Sequence, residues 1–324
     1  MSERSGTSVT PFISVVMSVL NGETYLKETI QSVLDQSYSH FEFIIINDGS
    51  TDQTQSILTE FQRKDERIHI LINPQNIGLP KSLNRGLAVA HGDYIARIDA
   101  GDTWGKEKLR MQVAYLSDHP DTVLLGTQAI YIDEQGNDCG RSSYPNSDQE
   151  IRIWFLKCIN PFIHPSVIFK PLYFYDEQFF TVTEDFSLWT KLFFKGRLSN
   201  LKEFLVRFRF SSNSITKTKR ANQISQLYEI YKRFLPILEN GGVDRVQEET
   251  PILPKPKHFS PIFSNLFSNL NYFGNRVRAY NRWVGNIIVF LSYQILPQLF
   301  YIKLKLHFLT QKGLKRYGNR CSSS

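Results

Sequence analysis

Two aspartates three positions apart follow an apolar segment in the stretch Arg97-Ile98-Asp99-Ala100-Gly101-Asp102. Carboxylates with this spacing at the end of a strand can hold Mg²⁺ or Mn²⁺, which usually takes one or two protein carboxylates and completes its shell with substrate phosphates. The glycine permits a close approach of the backbone. The same aspartates can also form a turn or cap a helix, so this stretch alone leaves both interpretations open.

A second acidic turn, Asn47-Asp48-Gly49-Ser50, follows another apolar run. Asp-Gly is a common turn signal. From this turn alone, a purely structural role and a binding role are equally good interpretations. Its position at the end of a strand favours a binding role, in which Asp48 accepts the imide N–H of a uracil and neighbouring backbone amides meet a ribose or a phosphate.

A third acidic pair, Glu184-Asp185, precedes an apolar helical run. Acids in the first turn of a helix complement its dipole, and taken alone this structural role is the simpler interpretation. The functional alternative is a general base beside a cleft. His164, in Ile163-His164-Pro165-Ser166, is a single histidine, for which a hydrogen-bonded structural role is the default interpretation.

Strands and helices alternate over the first hundred residues. Predicted strands cover 12–19, 41–46, 67–72 and 94–99, and predicted helices cover 23–36, 51–63 and 80–90. This alternation predicts an α/β fold with a mainly parallel central sheet and helices on both faces. Ligands of such sheets bind beyond the carboxyl ends of the strands, where the first two acidic turns lie. Further strand-like runs are 123–127, 167–169 and 204–210, and a helix is predicted from near Glu184 to before Gly196.

Composition narrows the function classes. The chain has 324 residues, of which 41% are hydrophobic, so a substantial core is expected. Three cysteines, an odd number without metal-ligand spacing, disfavour a disulfide framework or a zinc site and favour a reducing compartment. Neither G-x-G-x-x-G after the first strand nor G-x-x-x-x-G-K-[ST] is present, which argues against dinucleotide-dependent dehydrogenases and P-loop proteins.

The segments taken together resemble the family 2 glycosyltransferases of the GT-A fold over about residues 12–210. The resemblance is carried by 13–21, 36–38, 41–52, 76–79, 92–99, Lys108-Leu109, His164-Pro165-Ser166 and Glu184-Asp185. The variants 78–84 and Ala96-Arg97 are similar to those of bacterial members that build exopolysaccharide, capsule or lipopolysaccharide chains.

The resemblance implies an inverting glycosyltransferase that uses a nucleoside-diphosphate sugar, most simply a UDP-sugar. The acceptor would be a hydroxyl of a saccharide or a lipid-linked acceptor in cell-surface polysaccharide synthesis. The implied donor-nucleotide residues are Val19, Asn21, Asp48, Asn76, Lys81, Arg97 and Asp99. The implied catalytic base is Asp185 with Glu184 in support, and His164 lies on the acceptor side.

The sequence departs from the family pattern at Gly101, where the second aspartate of D-x-D usually stands and commonly contacts the metal. Either Asp102 takes over beside Asp99, or Asp99 acts with fewer protein ligands, or metal dependence is weakened. The same departure supports the alternative of a non-catalytic nucleotide-sugar-binding or scaffold subunit of a polysaccharide assembly complex.

The charge pattern divides the chain. Residues 1–216 carry 21 basic and 26 acidic residues, whereas 217–324 carry 17 and 5. We expect a polar tail at 1–11 with no signal peptide, a glycosyltransferase domain at 12–215, and a basic, mostly helical extension at 216–324. A partner for this extension would be nucleic acid or an anionic membrane surface, and nucleic acid is disfavoured because no recognised binding motif is present.

The basic extension contains an uncharged run of 20 residues at 283–302, flanked by basic residues on both sides. Pro297 interrupts this run. A single transmembrane span usually has its excess of basic residues on one side, whereas this run has basic clusters at both ends. The pattern favours a broken amphipathic helix or hairpin lying in the interface of an anionic membrane. The alternative is a helix packed on the catalytic domain. We therefore expect a cytoplasmic protein, peripheral on the inner face of the plasma membrane.

Overall fold

A computed structural model describes most of the first 210 residues. The described residues are 10–156, 159–178 and 183–210, together with Gln226 and Ile230. All of them belong to the first of two compact units of the chain, Met1–Arg245. The uncharged run 283–302 lies outside the described residues, and the expected domain boundary at 215/216 stays a prediction.

The first four strands form the parallel part of one sheet, in the order β3-β2-β1-β4. They are β1 Ile13–Val19, β2 Phe41–Asn47, β3 Ile68–Ile72 and β4 Tyr94–Arg97. Three helices connect them, α1 Leu26–Leu34, α2 Thr54–Lys64 and α3 Leu79–Ala88. Each element lies within a few residues of its predicted position, and the predicted parallel α/β arrangement is confirmed for this half.

The second half extends the same sheet with mixed pairing, in the order β4-β8-β6-β9-β5, with β7 on β6. Its strands are β5 Thr103–Trp104, β6 Thr122–Ile132, β7 Asp138–Arg141, β8 Ile168–Phe169 and β9 Arg197–Arg209. Its helices are α4 Lys108–Asp118, α5 Asp148–Leu156 and α6 Glu184–Leu192, with a short 3-10 helix at His164–Ser166. The sequence located β6, β8, β9 and α6 but not α4, α5, β5 or β7.

The pairing of β8 decides where the site forms. It runs antiparallel to β4, with Ile168 opposite Ala96. The residues just before β8 therefore continue past the carboxyl end of β4, and the Arg97 amide donates to the carbonyl of Val167 at 3.1 Å. The 3-10 helix that carries His164 is held beside Arg97 for this reason.

Alternation along the central strands builds two cores, one on each face of the sheet. Along β1, Val15 and Met17 belong to one cluster and Val16 to the other. The first cluster takes apolar residues of α1, α2 and α4, and the second takes those of α3, α5 and α6. Ile230 is buried in the second cluster, so one residue beyond β9 also contributes to it. Strands buried on both faces explain the continuous apolar runs of the sequence.

Cys139, in β7, is disulfide-bonded. The odd cysteine count disfavoured a disulfide framework. The disulfide at Cys139 does not agree with the reducing compartment that the cysteine count favoured.

The first residue of α4, Lys108, is a fully buried lysine. Lys108 donates from Nζ to Gln112 Oε1 at 2.9 Å and lies 3.8 Å from the centroid of the Trp104 ring. Gln112 in turn donates to the carbonyl of Ser166 at 3.0 Å. Burial lowers the pKa of Lys108 well below 10.5. An amine with a depressed pKa in the folded protein binds fewer protons there than in the unfolded chain, so stability rises with pH up to the unfolded pKa.

Replacing Lys108 with methionine should remove this alkaline gain in stability. We compare the free energies of unfolding as the difference, variant minus wild type. This difference is expected to be largest at neutral pH and to fall as the pH approaches 10.5, because only wild type gains stability there. Urea unfolding between pH 7 and 10 measures the difference, and Lys106→Met, at an exposed position of the same segment, is the matched control. A pH-independent difference for Lys108→Met would contradict the prediction.

Candidate functional site

The loops after β1 and β2 form the first part of the site, and they are tied to each other. The Asn21 amide donates to Ser50 Oγ at 3.0 Å, and the Thr51 amide donates to Asn21 Oδ1 at 2.9 Å. Asn21 has a φ of 51°, a left-handed conformation that asparagine tolerates better than most residues. The side chain of this predicted donor-binding residue therefore also organises the loops.

Asp48 orders a third loop, at the end of β3. Its carboxylate accepts N–H groups from Asn73 at 2.7 Å, from Ile77 at 2.9 Å and from Gly78 at 3.1 Å. A carboxylate has about four acceptor positions, so one position remains for a ligand. Gly49 lets this loop approach, because its φ is 74° and a Cβ there would lie 2.4 Å from the Gln75 carbonyl carbon.

The remaining residues implied on the nucleotide side have separate surroundings. Val19 is buried, and its carbonyl accepts the Asp48 amide at 2.8 Å. Asn76 is exposed and accepts the Gly78 amide at 2.9 Å. Lys81 is exposed in the first turn of α3 and lines a cavity of about 430 Å³ with Arg85 and Phe174. Because the Val19 side chain is buried, Val19 could meet a ligand only through its backbone.

Arg97 and Asp99 lie at the end of β4. Arg97 is 1% exposed, and its Nη1 lies 2.5 Å from Asp99 Oδ1, whose side chain is 37% exposed. This contact is an ion pair without hydrogen-bond geometry, and the three guanidinium nitrogens have no hydrogen-bond partner among the described residues. Burial acts to lower the pKa of Arg97, but the Asp99 carboxylate and, more weakly, Tyr175 and Glu184 raise it above its usual value. Arg97 therefore stays charged beneath Asp99.

Asp102 is the second carboxylate of this turn, and it is 3% exposed. One oxygen, Oδ1, accepts the backbone N–H of Arg209 at 2.8 Å, whereas Oδ2 has no hydrogen-bond partner among the described residues. Burial, and next the charge of Asp99, raise the pKa of Asp102 well above its usual value. A buried carboxylate with a free oxygen close to a second carboxylate is suited to binding a cation.

The catalytic pair predicted from sequence opens α6. Asp185 is partly exposed, and its carboxylate accepts the Phe186 amide at 2.7 Å and the Asn160 side-chain amide at 2.6 Å. Burial raises the pKa of Asp185, while these two hydrogen bonds lower it. Burial, and next the Asp185 charge, raise the pKa of Glu184 to about 8. The pKa of Asp185 is raised overall, and the two hydrogen bonds offset part of the rise because they stabilise the ionised form. Asp185 is therefore the better placed of the two to act as a base.

His164 lies behind this pair rather than at an open surface. Its Nε2 is 2.9 Å from the Tyr175 hydroxyl, and its Nδ1 is 3.8 Å from Glu184 Oε1. Burial, and next the Arg97 charge, lower the pKa of His164 well below its usual value, so the ring is neutral and Nε2 can accept the Tyr175 O–H. His164 thus contacts Tyr175 and lies close to Glu184, and its expected place on the acceptor side stays a prediction.

The structure thus brings together the predicted residues of β4, the 3-10 helix and α6. Arg97, Asp99, Glu184 and Asp185 influence one another's ionisation. Asn21, Asp48 and Asn76 lie in the loops after β1, β2 and β3, and these loops are joined by hydrogen bonds. Three residues of the site carried no sequence signal: Asn160, Tyr175 and Arg209. Each reaches the site from a segment whose position depends on the mixed half of the sheet.

The described residues contain neither a cluster of metal-binding side chains nor a membrane-spanning helix. Within 10–156, 159–178 and 183–210, no group of three or more histidine, cysteine, aspartate or glutamate side chains is arranged to hold a metal. Asp99 and Asp102 remain as a pair, and this suffices only for a cation that takes most of its ligands from substrate and water. In the same part of the chain, no helix is long and apolar enough to cross a membrane.

Comparison with known proteins decides the family. Residues 14–173 match the model of "Glycosyl transferase family 2". An uncharacterized glycosyltransferase of Haemophilus influenzae is 32% identical over 235 residues, which cover 66% of this chain and 70% of the relative. This chain belongs to glycosyl transferase family 2. It is therefore a glycosyltransferase, and the departure at Gly101 does not remove it from the family.

A further relative and a solved structure are also similar to this glycosyltransferase. The amylovoran biosynthesis glycosyltransferase AmsE of Erwinia amylovora is 28% identical over 238 residues, covering 71% of this chain and 88% of AmsE. Among solved structures, residues 1–349 of S. aureus TarS in complex with UDP-GlcNAc superpose with a TM-score of 0.54 at 18% identity, covering 89% of this chain and 92% of that one. A second S. aureus TarS structure matches 80% of this chain, and this match spans 43% of that longer TarS chain. At this identity the likeness concerns the fold alone, and the GT-A-like fold expected from sequence is confirmed.

Proposed function

We propose that this glycosyltransferase moves a sugar, with inversion, from a nucleoside-diphosphate sugar to a hydroxyl of a saccharide or lipid-linked acceptor in cell-surface polysaccharide synthesis. A UDP-sugar is the donor that Asp48 fits best, since its one free acceptor position can take an imide N–H. The observation that carries the proposal is the acidic pair at the start of α6, in which the partly exposed Asp185 carboxylate is held in orientation by the Asn160 side-chain amide and the Phe186 backbone amide.

Asp185 acts in the proposed mechanism as the general base. Its carboxylate takes the proton of the acceptor hydroxyl while that oxygen attacks the anomeric carbon from the face opposite the diphosphate. The bond between the anomeric carbon and the diphosphate oxygen breaks, and its electron pair leaves with the diphosphate. A single displacement of this kind inverts the anomeric carbon. Asn160 and the Phe186 amide hold the carboxylate in orientation, and Glu184 and His164 support it from behind.

The charge of the leaving diphosphate is met at the end of β4. Asp99 and the free oxygen of Asp102 would hold Mg²⁺ or Mn²⁺, which would neutralise the diphosphate as it departs. Arg97 compensates part of the negative charge of Asp99 and Asp102, because its buried positive charge lies directly against Asp99. The buried Arg97 acts on the donor through Asp99 rather than by direct contact.

A donor screen tests the proposed function. Purified protein is incubated with UDP-, GDP-, ADP- and dTDP-sugars, and release of the nucleoside diphosphate is measured with and without Mg²⁺ or Mn²⁺. Release from one class of donor, absent in Asp185→Asn, is the expected result. Binding of a nucleotide sugar with neither hydrolysis nor transfer would favour the non-catalytic scaffold subunit instead.

Membrane attachment is proposed for the basic extension, which lies outside the described residues. An acceptor carried by a lipid would be presented at a membrane surface. The uncharged run 283–302 with its basic flanks fits attachment to anionic lipid at the inner face of the plasma membrane.

Deletion of 275–324 should release the protein from membranes while donor hydrolysis survives. Flotation with vesicles containing anionic lipid at low salt measures the attachment, and vesicles of neutral lipid are the control. A full-length protein that stays at the bottom of the gradient at low salt would contradict the attachment. Extraction only by detergent, and not by salt or carbonate, would favour a span instead.

A further inference from the structure

The last residue of β9 contacts the turn between Asp99 and Asp102. The Arg209 backbone N–H donates to Asp102 Oδ1 at 2.8 Å, and its Nε donates to the carbonyl of Gly101 at 2.9 Å. This residue stands 107 positions after Asp102 in the chain. One arginine thus binds both the side chain and the backbone of the turn.

The Arg209 side chain is itself held by several elements. Its guanidinium lies 4.2 Å from the centroid of the Tyr25 ring, and Nη2 is 2.8 Å from Glu28 Oε2. Nη1 donates to the carbonyls of Asp133 at 3.1 Å and Glu134 at 3.2 Å. The side chain is 6% exposed. A planar guanidinium with this many fixed partners has little freedom to move.

Gly101 explains why the turn needs such a clamp. Its φ is 113°, and its N–H donates to Thr29 Oγ1 at 3.0 Å while its carbonyl accepts from Arg209. Both backbone groups of this glycine are therefore fixed from outside the turn. No side chain at position 101 can take part in binding, so Asp99 and Asp102 are the carboxylates that this turn offers to a ligand.

Asp102 shows the effect of the clamp on a binding atom. Since Oδ1 is occupied by the Arg209 backbone N–H, rotation of the carboxylate is restricted and Oδ2 is left without a hydrogen-bond partner among the described residues. The guanidinium acts on the same turn through the Gly101 carbonyl, and this is the contact that a substitution of Arg209 removes. An oriented, buried carboxylate oxygen near Asp99 is suited to binding a cation.

We propose that Arg209 is a positioning residue that holds the Asp99–Asp102 turn, and with it Asp102 Oδ2, in the geometry that receives the donor diphosphate and its divalent cation. The inference rests on the proposed function. Arg209 does not touch the reacting atoms, so its replacement weakens donor and cation binding more than it slows the chemical step.

The test compares Arg209→Met with Arg207→Met. Arg207 lies on the same strand, but its guanidinium binds Asp138 at 2.6 Å and the Gly136 carbonyl at 3.1 Å, away from the turn. We expect Arg209→Met to raise the donor KM and the half-saturating Mn²⁺ concentration about 10-fold or more, the usual range for residues that orient metal ligands, with a smaller change in kcat. Arg207→Met should leave both values unchanged. Mn²⁺ binding is also measured directly by electron paramagnetic resonance, without donor.

Donor KM and Mn²⁺ affinity equal to wild type in a folded Arg209→Met protein would overturn the inference. If Arg209→Met fails to fold, Glu28→Gln removes one anchor of the guanidinium without touching the turn. It should shift the Mn²⁺ titration in the same direction by a smaller factor, and an unshifted titration would also overturn the inference. A wild-type protein that neither binds nor cleaves any nucleotide sugar would instead overturn the proposed function, independently of the Arg209 comparison.

Discussion

Asp185→Asn is expected to lower glycosyl transfer by about 10²- to 10⁴-fold, which is the usual contribution of a positioned general base. Asparagine keeps the contacts with Asn160 and the Phe186 amide only in part, but it cannot take the proton of the acceptor hydroxyl. Initial rates at saturating donor measure the loss, and thermal unfolding checks that the fold survives. Near-full turnover by a folded Asp185→Asn protein would show that the base is elsewhere.

Glu184→Gln is the matched control, since a glutamine resembles the protonated glutamate that the site holds below pH about 8. We expect this variant to keep most of the activity.

Glu184→Gln should also change the pH dependence of stability. Because the pKa of Glu184 is raised in the folded protein, wild type loses stability as pH rises from about 4.5 to about 8, and Glu184→Gln should lack this loss. A larger activity loss for Glu184→Gln than for Asp185→Asn would reverse the two roles.

Asp99→Asn is expected to lower kcat/KM for the donor by about 10²-fold, the size of effect seen when a preorganised electrostatic group is removed from an active site. The change removes a cation ligand and also the anionic partner of the buried Arg97. Asp118→Asn, at an exposed position at the end of α4, is the control. Donor binding by calorimetry and thermal unfolding separate the loss of affinity from a loss of stability.

Excess chelator should likewise lower the activity of wild type, and added Mg²⁺ or Mn²⁺ should restore it. The reason is that the leaving diphosphate develops charge which Asp99 and Asp102 cannot neutralise without a cation. Full activity in excess chelator would mean that Gly101 marks a loss of metal dependence, and the positioning role of Arg209 would then concern the diphosphate alone.

Prediction from sequence succeeded where the physics is local. The strands β1 and β2 are continuous β-branched and apolar runs, as expected for strands buried on both faces, and each ends in a polar turn. The Asp48-Gly49 turn also behaves as its residue types suggest, with a left-handed glycine that admits the neighbouring loop. The family motifs located the acidic turns and the start of α6 for the same reason, since each motif is a short contiguous segment.

Prediction failed where placement depends on distant pairing. α4 was not predicted, although its Leu109, Val113 and Leu116 pack in the same core as β1. β8 has only two residues in a strand, Ile168 and Phe169, yet its antiparallel pairing with β4 determines where His164 lies. Arg209 was overlooked because a strand-terminal arginine has no local feature that distinguishes it from Arg207.

The sequence by itself determined the parallel half of the sheet, the edge at which the site lies, and the residue types available there. Alternation, turn chemistry and motif spacing are properties of neighbouring residues, so they can be recognised along the chain. The tertiary structure alone decided what surrounds the Glu184-Asp185 pair, because burial acts on both carboxylates together with Asn160 and Arg97, which come from two other segments. It also decided that the glycine in the acidic turn is held by Thr29 and Arg209, since hydrogen bonds between residues far apart in sequence form only when the whole sheet is assembled.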